Sequence, residues 1–508
     1  MSQKSETPQK TDIPDNEILV AATPLKEAGK DRRDSDTQKR GEDIDAGLIT
    51  PEQIEDFALK DDYALNPQYI SLVIDAADRG DGLRLRELLD ALHYADIADL
   101  LGFLSEDYRE EVIPWIPSDA LADILPELDD DIREEVIESM HTADIAEVLQ
   151  ELDSDDAAAV FEDLEEDQQK AVLAAMPESE RAAIVTSLGY EEETAGRLMQ
   201  REVMAAPSFW TVGHTIDHMR ENGADLPELF FDIYVIDPSH KPVGAVPVSV
   251  LMRTKRDLPL SQFMDPTTEI TVDMDQEEVA YIFEKYHLIS APVVDASGRL
   301  VGQITVDDIV NIIQAENRED ILALGGVSDI EGRDTGVYGM VKSRLPWLLI
   351  NLLTAFASVT VINAFQTEIV KMVVLASLMP VVASIGGNFG TQALTVSVRA
   401  LSARELTAAN ATRTIWREIV SGWLVGACVA IGLAVVTLIF WHDIKLAAVI
   451  AGAILINFTM AALAGTLIPM GAAKMGVDPA GASPIFVTLV TDFCGFFSFL
   501  GLAAIILL

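Results

Sequence analysis

The apolar positions change their spacing along the chain, and each change marks a different kind of element. From about residue 50 to 196 they recur three and four apart, the spacing of one helix face. HYADIADLLGFL (93–104), PSDALADILPEL (117–128) and HTADIAEVLQEL (141–152) align at a period of 24 residues. Ile97, Leu121 and Ile145 form one column, Leu101, Leu125 and Leu149 a second, Leu104, Leu128 and Leu152 a third. Such short helices cannot each bury an apolar face alone, so the pattern predicts stacked helix pairs in a small solenoid. Thr142 and Ser118 are the expected helix caps, and His93 and His141, at the repeat entries, read as structural.

From about 197 to 316 the period shortens and a second duplication begins. IYVIDPSHKPVGAVPVSVLM (233–252) matches APVVDASGRLVGQITVDDIV (291–310), with Asp237 over Asp295 and Gly244 over Gly302, both 58 residues apart. Each copy predicts strand, tight turn, strand and helix, preceded by an amphipathic helix at 213–221 or 275–286. Beyond residue 340 come five uncharged runs, 345–367, 372–398, 419–441, 446–473 and 484–508, the last interrupted only by Asp492. Each is long enough to span a bilayer. The fold class is therefore multi-domain: an α-helical solenoid-like N-domain (46–196), an α/β tandem pair (197–258 and 259–316), a connecting helix and linker (317–343) breaking at Gly325-Gly326, and an all-α five-helix transmembrane domain (344–508). Residues 1–45 are polar and predict a disordered tail.

Charge sharpens this division. The formal net charge is −46, yet from residue 340 onward nine Lys and Arg outnumber six Asp and Glu. The preceding 339 residues hold 76 acids against 27 bases. An acidic soluble half excludes a nucleic-acid partner, which requires a basic face, and leaves two readings open: cation binding, or a solvated surface. Lys342, Arg344, Arg399, Arg404, Arg413, Arg417 and Lys474 flank one side of the runs, and only Lys371 and Lys445 the other. That asymmetry, with no N-terminal signal segment visible, predicts a multi-pass protein of the cell (inner) membrane, its soluble half cytoplasmic and its C-terminus external. Both cysteines, Cys428 and Cys494, lie in apolar runs, which excludes a disulfide framework or zinc cluster. No phosphate-binding Gly-Lys-Ser/Thr motif, nucleophile elbow or zinc signature occurs, so an enzyme is not expected.

Asp492 lies eight residues past Pro484, about 12 Å into a helix. A carboxylate there is expensive in hydrocarbon; it either faces a wet pathway or locks helices together by hydrogen bonds. The second run carries a matching anomaly, Pro380 followed by Ser384-Ile-Gly-Gly-Asn-Phe-Gly-Thr-Gln392. Its glycines allow close approach or local unwinding, and Asn388 and Gln392 share a helical face. Lining a pore and clamping a tight helix contact are the two readings here.

Two resemblances follow from these motifs. V-G-x-x-T-x-x-D, from Val301 through Gly302 and Thr305 to Asp308, resembles the CBS domain, and the two copies together a tandem CBS pair. That family implies an adenine nucleotide such as ATP, with Thr305 and Asp308 at the ribose; the first copy, Pro247-Val248-Ser249-Val250, lacks the acid. MPVVASIGGNFGTQALTVSVRAL (379–401), GVDPA (476–480) and VTLVTDFCGFFSFLGLA (487–503) resemble the MgtE family of magnesium channels, whose order of parts also matches.

The resemblance implies a homodimeric Mg2+-selective pore in the lipid bilayer. Asp492 would bind hydrated Mg2+, with the Gly-Gly-Asn motif (Gly387, Asn388) beside it, and Gln392 joins these pore candidates through the helical face it shares with Asn388. It further implies regulatory Mg2+ sites that close the pore when internal Mg2+ is high. Asp478, Glu316, Glu319 and Asp320 match such sensors by position, and Asp275, Glu277 and Asp308 are further candidates, Asp308 being shared between the metal and nucleotide readings. The alternatives are a cation-coupled secondary transporter of divalent metals, with Asp492 alternating between sides, and a membrane-anchored nucleotide or ion sensor that conducts nothing.

Overall fold

The computed structural model describes residues 54, 57–60, 63–223, 226, 227, 229–327, 337–407 and 409–507. The expected tail, 1–45, lies outside them. The chain divides into two compact units, one of residues 1–152 and 162–175, the other of 153–161 and 176–508.

In the first unit the repeat becomes three equivalent helices, α1 (Tyr94–Phe103), α2 (Ser118–Ile124) and α3 (Thr142–Glu151). The three columns point inward: Ile97, Leu101, Leu104, Leu121, Leu125, Leu128, Ile145 and Leu149 are buried, and Leu152 half-buried. Arg109 stitches neighbouring repeats, donating to the carbonyls of Leu101 (3.3 Å) and Leu104 (2.7 Å) at the end of α1, and to Glu135. The expected caps move by one residue. Pro117 and His141 occupy the N-cap positions, and Ser118 and Thr142 begin the helices without a side-chain cap bond. His93 caps α1, its Nδ1 accepting from Ala95 N at 3.4 Å.

The second unit takes in residues 154–161 of α4 (Ser154–Glu162). Two three-stranded sheets follow with identical wiring. β1 (Ala205–Pro207) pairs parallel with β2 (Asp232–Ile236), which pairs antiparallel with β3 (Pro242–Pro247); β4 (Ile270–Thr271), β5 (Ser290–Val294) and β6 (Leu300–Thr305) repeat the order. The duplication extends to the irregularities, since both hairpins shift register at matching points, Val235/Ile236 and Val293/Val294. Asp237 and Asp295 make the same turn, each accepting two backbone N–H groups. Helices α5 (Val212–Glu221) and α6 (Gln276–Tyr286) flank the sheets.

The segments that lead into the two copies cross over between the sheets. Gln200 pairs with Gln303 on β6 of the second sheet, and Asp265 with Ala245 on β3 of the first. Ala195 and Met199 belong to the second core, Leu260 to the first. Each copy thus borrows the strand-like segment that leads into the other. A methyl group at Gly302 would meet Gln200 O at 2.6 Å, so this crossing requires glycine.

Helix α7 (Val306–Leu324) begins in the second copy and runs on without a break until Gly325, with Gly326 at φ 72°. The connecting helix expected from residue 317 is therefore the second half of α7. Among the described residues, five helices long and apolar enough to cross a membrane follow: α8 (Val337–Ala364), α9 (Val374–Ser402), α10 (Ala411–Trp441), α11 (Ile444–Lys474) and α12 (Pro479–Ile506). They outrun the apolar segments at one end, starting at 337, 411 and 479 and ending at 402, where Lys342, Arg344, Arg399, Arg413 and Arg417 extend the helices into polar surroundings. Helix α11 is central: 56% of its apolar window is buried, against 11% for α8. Pro380 is accommodated within a continuous α9, so the unwinding allowed by its glycines does not occur.

Candidate functional site

The membrane helices set two polar features at one level. Val487 and Thr491 of α12 pack where α9 has Gly390; a methyl group there would lie 2.8 Å and 3.2 Å from their side chains. One turn earlier, Gly387 stands opposite Thr491 Oγ1, 3.9 Å from where its Cβ would be. Asn388 and Asp492, each next in sequence, therefore share this depth. Asp492 is half-buried, while Ser384, Asn388, Thr391 and Gln392 are exposed along α9. No hydrogen bond joins Asn388 or Gln392 to Asp492 among the described residues. Of the three glycines, Gly390 and Gly386 make the expected tight approach and Gly387 does not; at Gly386 the neighbour is the Asn457 amide of α11. Asn457 escaped the sequence reading, although it interrupts an apolar run.

The acids outside the membrane helices fall into two groups, strung along α7. At its start, Thr305 Oγ1 donates to Asp308 Oδ2 at 2.9 Å. Burial first, then the charges of Asp307 and Asp153, push the Asp308 carboxyl up to about 6. Facing it is Asp155, in the first turn of α4, raised by burial and by Asp156, Asp308 and Asp153. Asp155 Oδ1 is buried without a partner among the described residues. The segment is held there by Gln200 Nε2 donating to Asp153 (3.2 Å), by Ser154 Oγ donating to Glu202 (2.9 Å) and by Arg201 N donating to Ser154 Oγ (2.8 Å). Asp155 was not found from sequence because nothing local distinguishes it from Asp153 or Asp156.

Further along α7, Glu316 accepts from Gln276 Nε2 at 2.6 Å, and Asp320 accepts from Ser402 Oγ at 3.0 Å at the end of α9. Asp275 caps α6 by accepting from Glu277 N, and Asp478 caps α12 by accepting from Ala480 N and Gly481 N. Burial raises the Glu277 carboxyl, helped by Asp275, Asp320 and Asp478; Glu316 and Asp320 are raised for the same two reasons. Asp275, Glu277, Glu316, Asp320 and Asp478 thus repel one another across the junction of α6, α7 and α12, while Glu319 is exposed on α7. No three of these groups converge closely enough to hold a metal ion among the described residues. Arg404, in the loop after α9, supplies the opposing charge: it pairs with Glu278 of α6 at 3.3 Å and stacks on Tyr281 with its guanidinium 4.5 Å from the ring centre. Helix α7 ends with Ala323 and Leu324 packed on Leu394 and Val398 of α9 and on Ala480 and Val487 of α12.

Five apolar spans with a single embedded acid, tied by one helix to an acidic soluble sensor, define a membrane cation-transport protein. A family model described as a divalent cation transporter matches residues 379–502, the MgtE intracellular N domain matches 92–193, and the CBS domain matches 260–315. The magnesium transporter MgtE of Enterococcus faecalis is 32% identical over 306 residues, 60% of this chain and 67% of that protein. Its counterpart from Thermus thermophilus is 32% identical over 323 residues, 63% of this chain and 71% of the relative. A crystal structure of the cytosolic domain of the Mg2+ channel MgtE in complex with ATP is 29% identical, with a TM-score of 0.45, covering 47% of this chain and 98% of that one. The chain belongs to the MgtE family.

Proposed function

We propose that the protein is a Mg2+-selective channel for magnesium uptake across the cell (inner) membrane, closed by its cytosolic acids when internal Mg2+ is high. The observation that carries this is the polar strip of α9 beside Asp492, exposed on one protomer at membrane depth. Lipid disfavours the unpaired amides of Asn388 and Gln392 there, whereas a water-filled path between two copies would hydrate them. A homodimer also doubles the acid: one Asp492 cannot neutralise a divalent ion, but two across a symmetry axis can. Mg2+ keeps several waters, so two carboxylates with amide oxygens alongside suit it better than a closed cage. The soluble half is cytoplasmic and the C-terminus external in this arrangement.

Closure follows from repulsion. Carboxylates held above their usual range by burial and by each other are relieved by a divalent cation, which therefore favours the state in which they are close. Asp155 with Asp308, and Glu277 with Glu316 and Asp320, are the groups that do this, and Asp275, Asp478 and Glu319 lie beside them as further oxygen donors. At Asp308 the surrounding negative charge favours a cation over a nucleotide, whose phosphates would add repulsion; ATP remains a second ligand for Thr305 and Asp308, with its ribose toward the acid.

The test is Mg2+ flux into liposomes carrying wild type or Asp492→Asn, with lumenal Mg2+ varied. Loss of flux in the variant supports the pore. Wild-type flux from the variant would refute it and favour the non-conducting sensor. Uptake strictly proportional to a counter-ion gradient would replace the channel by the coupled transporter.

A further inference from the structure

Among the described residues, α11 places one amide, Asn457, in the middle of an otherwise apolar stretch, fully buried. Its Nδ2 donates to Val382 O of α9 at 3.0 Å. A methyl group at Gly386 of α9 would fall 2.0 Å from that nitrogen, and one at Gly495 of α12 would fall 2.7 Å from it. The amide therefore occupies a gap that two glycines create, one on each helix that carries a pore group. Gly386 stands two residues before Asn388, and Gly495 three residues, about one turn, past Asp492. The other end of the amide, Oδ1, is buried with no hydrogen-bond partner among the described residues. Leucine would fill the same gap without an unmet acceptor, so packing alone does not account for an amide at this point.

We propose that Asn457 is a positioning residue that determines ion selectivity: it sets the separation and rotation of α9 and α12, and hence the spacing of Asn388 and Asp492. The inference rests on the pore reading above. Selectivity between Mg2+ and Ca2+ is a matter of cavity size and rigidity, since Ca2+ accepts longer, more irregular coordination and sheds water more readily. A wedge bonded to one helix and seated on the other keeps the spacing narrow. Without its bond to Val382 O the helices can shift, and the site admits the larger ion.

The experiment uses full-length protein in liposomes, with Mg2+ and Ca2+ fluxes measured for Asn457→Leu, Gly386→Ala and the pair Asn457→Ala with Gly386→Ala. Asn457→Leu is expected to keep wild-type yield and dispersity, yet to raise half-saturating Mg2+ and the Ca2+-to-Mg2+ flux ratio by about fivefold, the scale of one neutral hydrogen bond. Gly386→Ala should lose Mg2+ flux, and the pair should regain part of it, because the amide that collides with the new methyl group is gone. Unchanged selectivity and half-saturation in Asn457→Leu would overturn the proposal. Should Asn457→Leu not fold, the pair decides: recovery over Gly386→Ala sustains the wedge, and none refutes it. Asp492→Asn in the same vesicles separates the two readings, since persistent flux there removes the pore itself whatever Asn457 does.

Discussion

Replacing Asp308 by asparagine tests whether buried repulsion drives the sensor. Ionised Asp308 faces Asp155 and Asp153, and its carboxyl is moved from 3.8 to about 6. An acid whose pKa is raised by folding carries no penalty while protonated in both states, below about pH 4. The penalty grows through the window from 3.8 to about 6 and is complete above it, so stability falls as pH rises. At about 1.4 kcal/mol per pH unit the cost at pH 7 is about 3 kcal/mol, roughly a hundredfold in local opening. Asparagine still accepts from Thr305 Oγ1 but carries no charge. Hydrogen exchange of full-length protein in micelles, followed over 153–161 and 199–202 after correction for intrinsic rates, reads this directly. Without Mg2+, wild type should open more readily at pH 7 than at pH 5, and Asp308→Asn should show a clearly smaller difference, the remainder coming from Asp155. Added Mg2+ should slow exchange in wild type, by the usual linkage to a bound ligand, and leave the variant almost unchanged. Superposable profiles for the two proteins, or equal protection by Mg2+, would refute the reasoning.

Other outcomes follow from the same geometry. Neutralising Glu319, Asp320 and Asp478 together should leave a pore that conducts but closes poorly at high cytosolic Mg2+; unchanged Mg2+ inhibition in patch recordings would remove these residues as sensors. Arg404→Ala loses the pair with Glu278 and the stack on Tyr281, about 1 kcal/mol between them, and should shift half-closing Mg2+ by about fivefold at low salt, less at high salt. Gly302→Ala, whose methyl group would sit 2.6 Å from Gln200 O, should lower the unfolding temperature of the paired domain, measured calorimetrically; an unchanged midpoint would count against the close crossing.

What the sequence makes legible is what depends on spacing. The 24-residue columns, the 58-residue duplication and the five apolar runs are local periodicities, and all reappear as buried faces, matched hairpins and long helices. Asp492 stood out as the one charge in an uncharged run, and Asn388 as an amide set among glycines and close to Gln392, a context that Asn457 lacks. Partnerships were not legible. Asp155 matters through a neighbour on α7 about 150 residues away, and Asn457 through glycines on two other helices. Ser118 and Thr142 failed as caps because Pro117 and His141 already supply the extended residue before each helix.

The exchange of leading segments between the two sheets has a consequence for assembly. Gln200 reaches its partner only when Gln303 has been made, across a separation of 103 residues. Closing so long a loop is entropically slow, and until then Ala195 and Met199 have no core to enter. The two copies should therefore melt in one transition and resist being expressed singly, because a cut at residue 259 leaves each fragment missing a strand's worth of its own interior. A duplicated sequence has in this way become an indivisible folding unit, and whatever pulls on α7 pulls on both halves at once.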